Sequence, residues 1–209
     1  MKITREKKEL LRFIFNISIP FILRDFNKLE SIARKHIQNE KKITDIYHEI
    51  LAYALRKKQD YDNCIKEYVL VITHYPDNVY THYRLIKLLY KTNKYKESLQ
   101  NSELFFSINF KKVDKFILYN IRKNIYWYGG YSAYQLKKYS KTSKYLEKYI
   151  KFKKVKNIER HFEIIGYAYL MQHEYDKSKY YFEEALKINP SSDYAIKILN
   201  YIVSIKETS

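Results

Sequence analysis

The side chains that most often carry out catalysis are present in this chain, but not at catalytic spacings. The six histidines are dispersed, and none lies at metal-ligand spacing from a cysteine, an aspartate or another histidine. Glu183 and Glu184 are adjacent on a predicted helix, so their carboxylates do not converge on one point. Gly129-Gly130 lacks the lysine and hydroxyl residue that follow in a phosphate-binding loop. These residues predict no enzyme, no metal site and no cofactor.

The single cysteine, Cys64, excludes an internal disulfide and a zinc site made of several cysteines. It fits a chain kept in a reducing compartment. Cys64 falls between two predicted helices, at a position where a small side chain packs. We therefore interpret it as a buried structural thiol rather than a nucleophile.

Residues 159–190 predict two short helices joined by a turn. Apolar residues recur every three or four positions from Phe162 to Met171, which is typical of a helix. Gly166 lies inside that helix at a cost of about 1 kcal/mol relative to alanine, so we expect a neighbouring backbone to pass close by. A second helix is predicted from about Tyr175 to Ile188, and Pro190 ends it.

This pattern resembles the tetratricopeptide repeat (TPR), a helix-turn-helix of roughly 34 residues. The residues that carry the resemblance are Phe162, Ile165, Gly166, Tyr169, Tyr175, Ser178, Phe182, Ala185 and Pro190. Weaker copies fill most of the remaining chain, and the predicted repeats are 45–78, 79–112, 123–156 and 159–192. Their turn tyrosines, Tyr61, Tyr95, Tyr139 and Tyr175, follow at intervals of 34, 44 and 36 residues. A helical insertion at 113–122 accounts for the long interval, and Gly130 of the Gly129-Gly130 pair occupies a small-residue position where a kink is allowed.

The resemblance implies an all-α fold, a right-handed superhelical α-solenoid built as a single domain of 209 residues. Residues 1–44 are predicted to hold N-terminal capping helices or a degenerate repeat, with helices over Thr4–Ile17 and Phe21–Gln38. Residues 193–209 are predicted to hold a C-terminal capping helix. Its inner side consists of Tyr194, Ile198, Tyr201, Ile202 and Ile205, and its outer side is polar.

The apolar run Phe13–Leu23 resembles a signal peptide only weakly. Asn16 and Pro20 interrupt it, no small-residue cleavage site follows, and it is far shorter than the ~20 residues of a membrane-spanning helix. We expect a cytoplasmic protein without a transmembrane segment. Export or membrane-surface association through residues 1–24 is a minor alternative.

In the TPR family the first helices line a concave groove in which peptides bind. The resemblance places Glu49, Tyr53, Arg56, Tyr83, Arg84, Lys87, Lys91, Asn124, Trp127, Tyr128, Tyr131, Tyr134, Glu163, Tyr167 and Leu170 at groove positions. Of these, the predicted partner-binding residues are Tyr53, Tyr83, Arg84, Lys87, Trp127, Tyr128, Tyr131 and Tyr167.

The middle of this predicted groove is basic and aromatic, which suits a peptide with carboxylates and an apolar anchor. Glu49, Tyr53 and Tyr83 stand where the chaperone-binding members of the family need lysine or asparagine, so their two-carboxylate clamp is not expected. The alternative is that the rings pack against the neighbouring repeat and leave no groove.

The formal net charge of +17 is unevenly distributed. Residues 123–158 contain ten lysines and one acid, Glu147. Lys141, Lys144, Lys148 and Lys151 form a stripe along the second helix of the third repeat, on the side expected to face away from the groove. Such a stripe is commonly a solvated face, but the scarcity of acids favours a polyanionic partner.

The leading hypothesis is a non-catalytic scaffold that binds a peptide or protein segment in its concave groove, with an acidic segment among the candidates. One alternative is a bacterial peptide-sensing regulator of TPR type that acts through another protein. A further alternative is docking to a polyanion, either nucleic acid or an anionic membrane, through the lysine-rich convex face; the scarcity of arginine there weakens the case for nucleic acid. The sequence does not predict the oligomeric state.

Overall fold

The structure is a computed structural model, and it describes residues 18, 20–39, 45–110, 113–153 and 155–207. Those residues form helices, turns and short connections, and none of them lies in a strand. The all-α prediction is therefore confirmed. The predicted helix over Thr4–Ile17 lies outside the described residues. The chain divides into two compact units, residues 1–88 and 89–209.

The first unit contains α1 (Phe26–Asn39), α2 (Asp45–Lys57), α3 (Tyr61–His74) and most of α4 (Val79–Lys91). Here α1 packs on α2 and α2 packs on α3.

Helix α1 starts later than predicted, at Phe26 rather than at Phe21. Residues 20–22 are helical and residues 23–24 form a turn, in which Arg24 has a φ of 57°. Asp25 then accepts a hydrogen bond of 3.0 Å from the Lys28 backbone N–H. The left-handed residue ends the first helical turn, and the aspartate supplies the acceptor that a new helix start needs.

The second unit contains α5 (Tyr95–Ser107), α6 (Lys115–Gln135), α7 (Tyr139–Ile150), α8 (Ile158–Leu170), α9 (Tyr175–Ile188) and α10 (Asp193–Glu207). Each of these helices packs on the next one in the chain. Helix α6 has 21 residues, whereas α8 has 13. The inserted residues therefore lengthen a first helix, and Asp114 caps it by accepting from the backbone N–H groups of Phe116 and Ile117.

Four helix-to-helix turns share one backbone conformation, and each lies two residues before a turn tyrosine. Gln59, Asn93, Lys137 and His173 all have positive φ, between 55° and 64°. After each one the next backbone N–H donates to a carbonyl five residues earlier, for example Lys138 N–H to Ala133 C=O at 2.8 Å. This is the Schellman arrangement that ends a helix with a left-handed residue. The turns therefore repeat along the chain in the same way as the helices do.

Small residues of the paired helices meet in the core. Cys64, Ser98, Thr142 and Ser178 are fully buried, and the Cys64 thiol donates to the Ala52 carbonyl at 3.1 Å. Burial raises the pKa of that thiol to about 11, so it stays protonated and unreactive at neutral pH.

At the helical glycines, the nearest atoms of the partner helix belong mainly to its side chains and less to its backbone. A Cβ on Gly166 would lie 2.9 Å from the Phe182 ring and 3.3 Å from the Ser178 carbonyl oxygen. A Cβ on Gly130 would lie 2.6 Å from Leu146. The expectation of a close backbone at Gly166 is thus met only in part, because the nearer group is an aromatic ring.

Helix α10 buries only part of the predicted face, since Ile202 lies in the core cluster and Ile198 packs against it, whereas Tyr201 does not. Ala195 and Ile202 are buried, whereas Tyr201 was expected on the inner side and is 55% exposed. Ile196 and Val203 are also exposed. The outer side of this helix is therefore partly apolar, not polar as predicted.

Candidate functional site

The predicted groove residues of the first unit are largely engaged by their neighbours. Arg84 Nη1 lies 2.5 Å from Glu49 Oε2, and Glu49 also accepts hydrogen bonds from Thr81 Oγ1 and from Asn78 Nδ2. Glu49 therefore ties α2 to the start of α4. The Arg84 guanidinium, expected to bind a peptide carboxylate, already has a carboxylate partner within the chain.

Tyr53 on α2 is covered on several sides. Its ring stacks on Phe21 with the centroids 5.1 Å apart, and Phe26 meets its edge at 6.1 Å. The Arg56 guanidinium lies 5.4 Å from the ring centroid. On α4, Lys87 Nζ lies 5.6 Å from the Tyr83 ring. In this unit, the cations of Arg56 and Lys87 therefore contact the rings of Tyr53 and Tyr83, which were predicted to contact a ligand.

The second unit brings the predicted aromatic residues of α6 into one cluster. The Trp127 ring lies 5.0 Å from Tyr128, 4.6 Å from Tyr131 and 5.2 Å from Tyr90. Trp127 and Tyr128 are partly exposed, whereas Tyr131 is 9% exposed and packs with Leu146 in the core. Tyr131 thus does not line an open surface, and we leave it out of the candidate site.

An open cavity of about 260 Å³ lies between α6, α8 and α10. Its walls are Tyr134, Glu159, Arg160, Glu163, Ile164, Tyr167 and Tyr194. The predicted groove residues among them are Tyr134, Glu163 and Tyr167. We call this cavity, together with Trp127 and Tyr128, the first-helix surface.

Both acids of the cavity are held by the turn between α9 and α10. Glu159 accepts from Asn189 Nδ2 at 2.9 Å, and Glu163 accepts from Ser192 Oγ at 2.7 Å. Glu49 has the same kind of role in the first unit. Arg160 forms no ion pair with any described residue, and its guanidinium interacts with the Tyr131 hydroxyl.

Burial keeps the protons of Tyr194 and Tyr131 on their hydroxyls at neutral pH and disfavours the charged form of His161. Burial raises the pKa of Tyr194 to about 12, and nearby Tyr134, Tyr167 and Glu163 act in the same direction. Burial also raises the pKa of Tyr131 to about 12, with the Arg160 charge opposing it. Burial lowers the pKa of His161, whose Nδ1 lies 3.1 Å from the Tyr131 hydroxyl. The tyrosine hydroxyls of the site can therefore donate and accept hydrogen bonds in recognition.

Two comparisons bear on this helical arrangement. Residues 163–192 match the family model of the tetratricopeptide repeat. The structure is similar to MamA from residue 41 to its end, from Desulfovibrio magneticus RS-1, at 16% identity and a TM-score of 0.56, with 87% of this chain and 96% of that one covered. The chain thus contains a segment that matches the tetratricopeptide repeat, and it has the fold of the solved structure to which it is similar.

Two structures of TPR proteins share the fold at similarly low sequence identity. YrrB, described as a TPR protein with an unusual peptide-binding site, is 14% identical with a TM-score of 0.61, and 84% of each chain is covered. A TPR protein from Parabacteroides merdae ATCC 43184 is 12% identical with a TM-score of 0.63, covering 92% of this chain and 73% of that one. No curated protein matches the sequence.

Sequence reasoning did not assign four of the residues that line the cavity to the groove, namely Glu159, Arg160, Ile164 and Tyr194. Arg160 stands three positions before Glu163, so extending the groove periodicity backward by one turn of α8 would have found it. Tyr194 comes from α10, which was assigned only a capping role. Nothing within the sequence of α10 alone indicates that it reaches this cavity.

Three of the four lysines of the predicted stripe lie at one cavity. Lys141, Lys144 and Lys148 line a second cavity, of about 670 Å³, between α5, α6 and α7. Lys151 follows the end of α7 and is not among the residues that line it. Within the described part of the chain, no three His, Cys, Asp or Glu side chains are grouped so as to hold a metal ion. No described helix combines the length and hydropathy needed to cross a membrane.

Proposed function

We propose that this protein is a non-catalytic scaffold that binds a segment of another protein on the first-helix surface. The observation that carries the proposal is the open cavity between α6, α8 and α10, in which three tyrosines surround an arginine. Stacked helical repeats characteristically present extended binding surfaces of this kind.

The chemistry of the surface suits a peptide with an apolar or aromatic side chain next to a polar group. Tyr134, Tyr167 and Tyr194 offer ring surface together with hydroxyls, a combination favoured at binding hot spots. Arg160 can donate two parallel hydrogen bonds to a carboxylate or to backbone carbonyls. The cavity also contains the carboxylates of Glu159 and Glu163. Their negative charges repel acidic side chains, so they disfavour a strongly acidic segment at this site.

The test begins with peptides selected from a displayed library of random 12-residue sequences against the full chain. Trp127 is the only tryptophan, so its fluorescence reports binding at the adjacent cluster without a label. For a selected peptide, Tyr167→Ala is expected to weaken binding by about tenfold or more, because hot-spot rings contribute at least that much.

Tyr180→Ala is the matched control, since Tyr180 is 53% exposed on α9, away from the cavity. It should change the affinity by less than about twofold. Equal affinities of the wild type, Tyr167→Ala and Arg160→Ala for every selected peptide would rule out the first-helix surface as the binding site.

A further inference from the structure

The lysine-lined cavity of the second unit is a cleft with apolar and basic walls. We call it the lysine cleft, and its walls are Glu103, Phe106, Ser107, Arg122, Tyr126, Lys141, Lys144, Tyr145 and Lys148. Its volume of about 670 Å³ is within the range of sites that hold a ligand or an anchoring side chain. The lengthened helix α6 supplies Arg122 and Tyr126, so the insertion in the repeat builds one wall.

The positive charge in the cleft is largely uncompensated. Lys141 is paired with Glu103, but Arg122, Lys144 and Lys148 form no ion pair with any described residue. Glu147, the acid nearest in sequence, accepts hydrogen bonds from the Tyr169 and Tyr181 hydroxyls at 2.5 and 2.9 Å. Its carboxylate therefore links α7 to α8 and α9, and it forms no ion pair with a described lysine of the cleft.

The Phe106 and Tyr126 rings of the cleft already contact neighbouring side chains, which argues against nucleic acid. Phe106 stacks on Tyr126 with centroids 4.2 Å apart and an interplanar angle of 21°. Lys148 Nζ lies 5.6 Å from the centroid of the Tyr126 ring. Proteins that bind single strands offer ring faces on which bases stack, whereas the Tyr126 ring is in contact with both Phe106 and Lys148.

The spacing of the cations suits a short extended peptide. From Lys141 to Lys148 the helix rises ~10 Å at 1.5 Å per residue. An extended chain covers that length in about three residues. Two or three neighbouring carboxylates could thus meet Arg122, Lys144 and Lys148, with an apolar side chain against Phe106 and Tyr126.

We infer that the lysine cleft is a second binding site, which takes an acidic protein segment carrying an apolar side chain. It lies on α5, α6 and α7 and shares no residue with the first-helix surface. The scaffold would therefore hold two segments at separate places of the second unit.

The test uses a fluorescein-labelled peptide of six glutamates and one phenylalanine, with fluorescence anisotropy at low salt. Lys144→Glu/Lys148→Glu should weaken binding by at least about tenfold, because attraction becomes repulsion at the two available ammonium groups. Lys96→Glu/Lys197→Glu is the matched control, since it changes net charge equally at exposed positions outside the cleft. It should cost less than about threefold.

Glu103→Gln provides an opposite variant, because it releases Lys141 from its partner. It should tighten binding of the acidic peptide severalfold. Replacing the phenylalanine of the peptide by glycine should weaken binding to the wild type and leave the weak binding to the Lys144→Glu/Lys148→Glu variant unchanged.

Three results would overturn the inference. One is no binding of the acidic peptide at low salt. Another is an equal loss in the two double variants, which would show attraction by net charge alone. The third is tighter, cleft-dependent binding of a single-stranded oligodeoxynucleotide of equal charge, which would assign the site to nucleic acid. Far-ultraviolet circular dichroism of each variant checks that the fold is kept.

Discussion

Helices α7 and α9 occupy the same place in consecutive repeats and have equivalent interiors but different exteriors. Leu146 of α7 and Phe182 of α9 are both fully buried, and each packs on a glycine of the preceding helix. On the outside of α9 the lysines are compensated: Lys177 pairs with Glu174, Lys179 with Glu183 and Lys187 with Glu184. Among the described residues, Lys141 is the one lysine of α7 that has an acidic partner.

The difference shows which parts of a repeat the fold constrains. A small residue, a turn and one large buried side chain suffice to hold the helix pair, and they occur in both repeats. The exposed face carries no such requirement, so it can become self-neutralised, as in α9, or remain basic, as in α7. A charge imbalance confined to one exposed helix face is therefore a better indicator of function than a departure from the repeat pattern in the core.

The largest expected effect tests the equivalence of the two interiors. Leu146→Ala should lower the free energy of unfolding by about 2–5 kcal/mol and Phe182→Ala by about 3–5 kcal/mol, since each leaves a cavity against a helical glycine. Urea unfolding followed by circular dichroism measures both. Leu104→Ala is the control, because Leu104 is 48% exposed on α5 and its loss should cost less than about 0.5 kcal/mol. A small effect of Leu146→Ala alone would show that α7 is held differently from α9.

A smaller effect tests the role of Glu147 as the link between the two repeats. Glu147→Gln keeps an acceptor for Tyr169 and Tyr181 but removes its charge, and should cost roughly 1–2 kcal/mol. Burial, together with the Glu147 hydrogen bond and charge, raises the pKa of Tyr169 to about 12 and raises that of Tyr181. The variant should lower both values.

The pH dependence has a definite sign. The folded chain holds the Tyr169 proton more tightly than the unfolded chain, whose tyrosines ionise near pH ~10. The resulting stabilisation is complete below that pH and is lost as the pH rises toward about 12. Phenolate absorbance at alkaline pH follows both proteins. Glu97→Gln is the control for the loss of an exposed charge. Identical titrations of the wild type and Glu147→Gln would show that burial alone raises the pKa values of Tyr169 and Tyr181.

The sequence predicted the helix pairs because their periodicity and turn tyrosines are local signals. The start of α1 was misplaced since the left-handed conformation of Arg24 leaves no mark in residue type. For Tyr131, helical spacing indicated a face but not that Leu146 and Ile164 would cover it. The pairing of Arg84 with Glu49 joins residues 35 positions apart, so the pattern of one helix cannot show it.

The candidate sites were the least predictable part, because each is assembled from three helices. Tyr194 reaches the first-helix surface from α10, and Phe106 reaches the lysine cleft from α5. The residue pattern of a single helix indicates which of its side chains share a face. It does not give the side chains that neighbouring helices place opposite that face, and these decide whether a cation is neutralised or available.

The smallest expected effect tests the turns that α7 and α9 share. Lys137 and His173 have φ values of 55° and 59°, which cost an L-residue about 1 kcal/mol or more and a glycine little. Lys137→Gly and His173→Gly should therefore each raise the thermal midpoint. The gain in the free energy of unfolding should be at most about 1 kcal/mol, because glycine also gives the unfolded chain more conformational freedom, which offsets part of the gain. Lys138→Gly is the matched control, because Lys138 has a φ of −88° and gains nothing from glycine. It should lower the midpoint, and a gain equal to that of Lys137→Gly would contradict the assignment of strain to the left-handed residue.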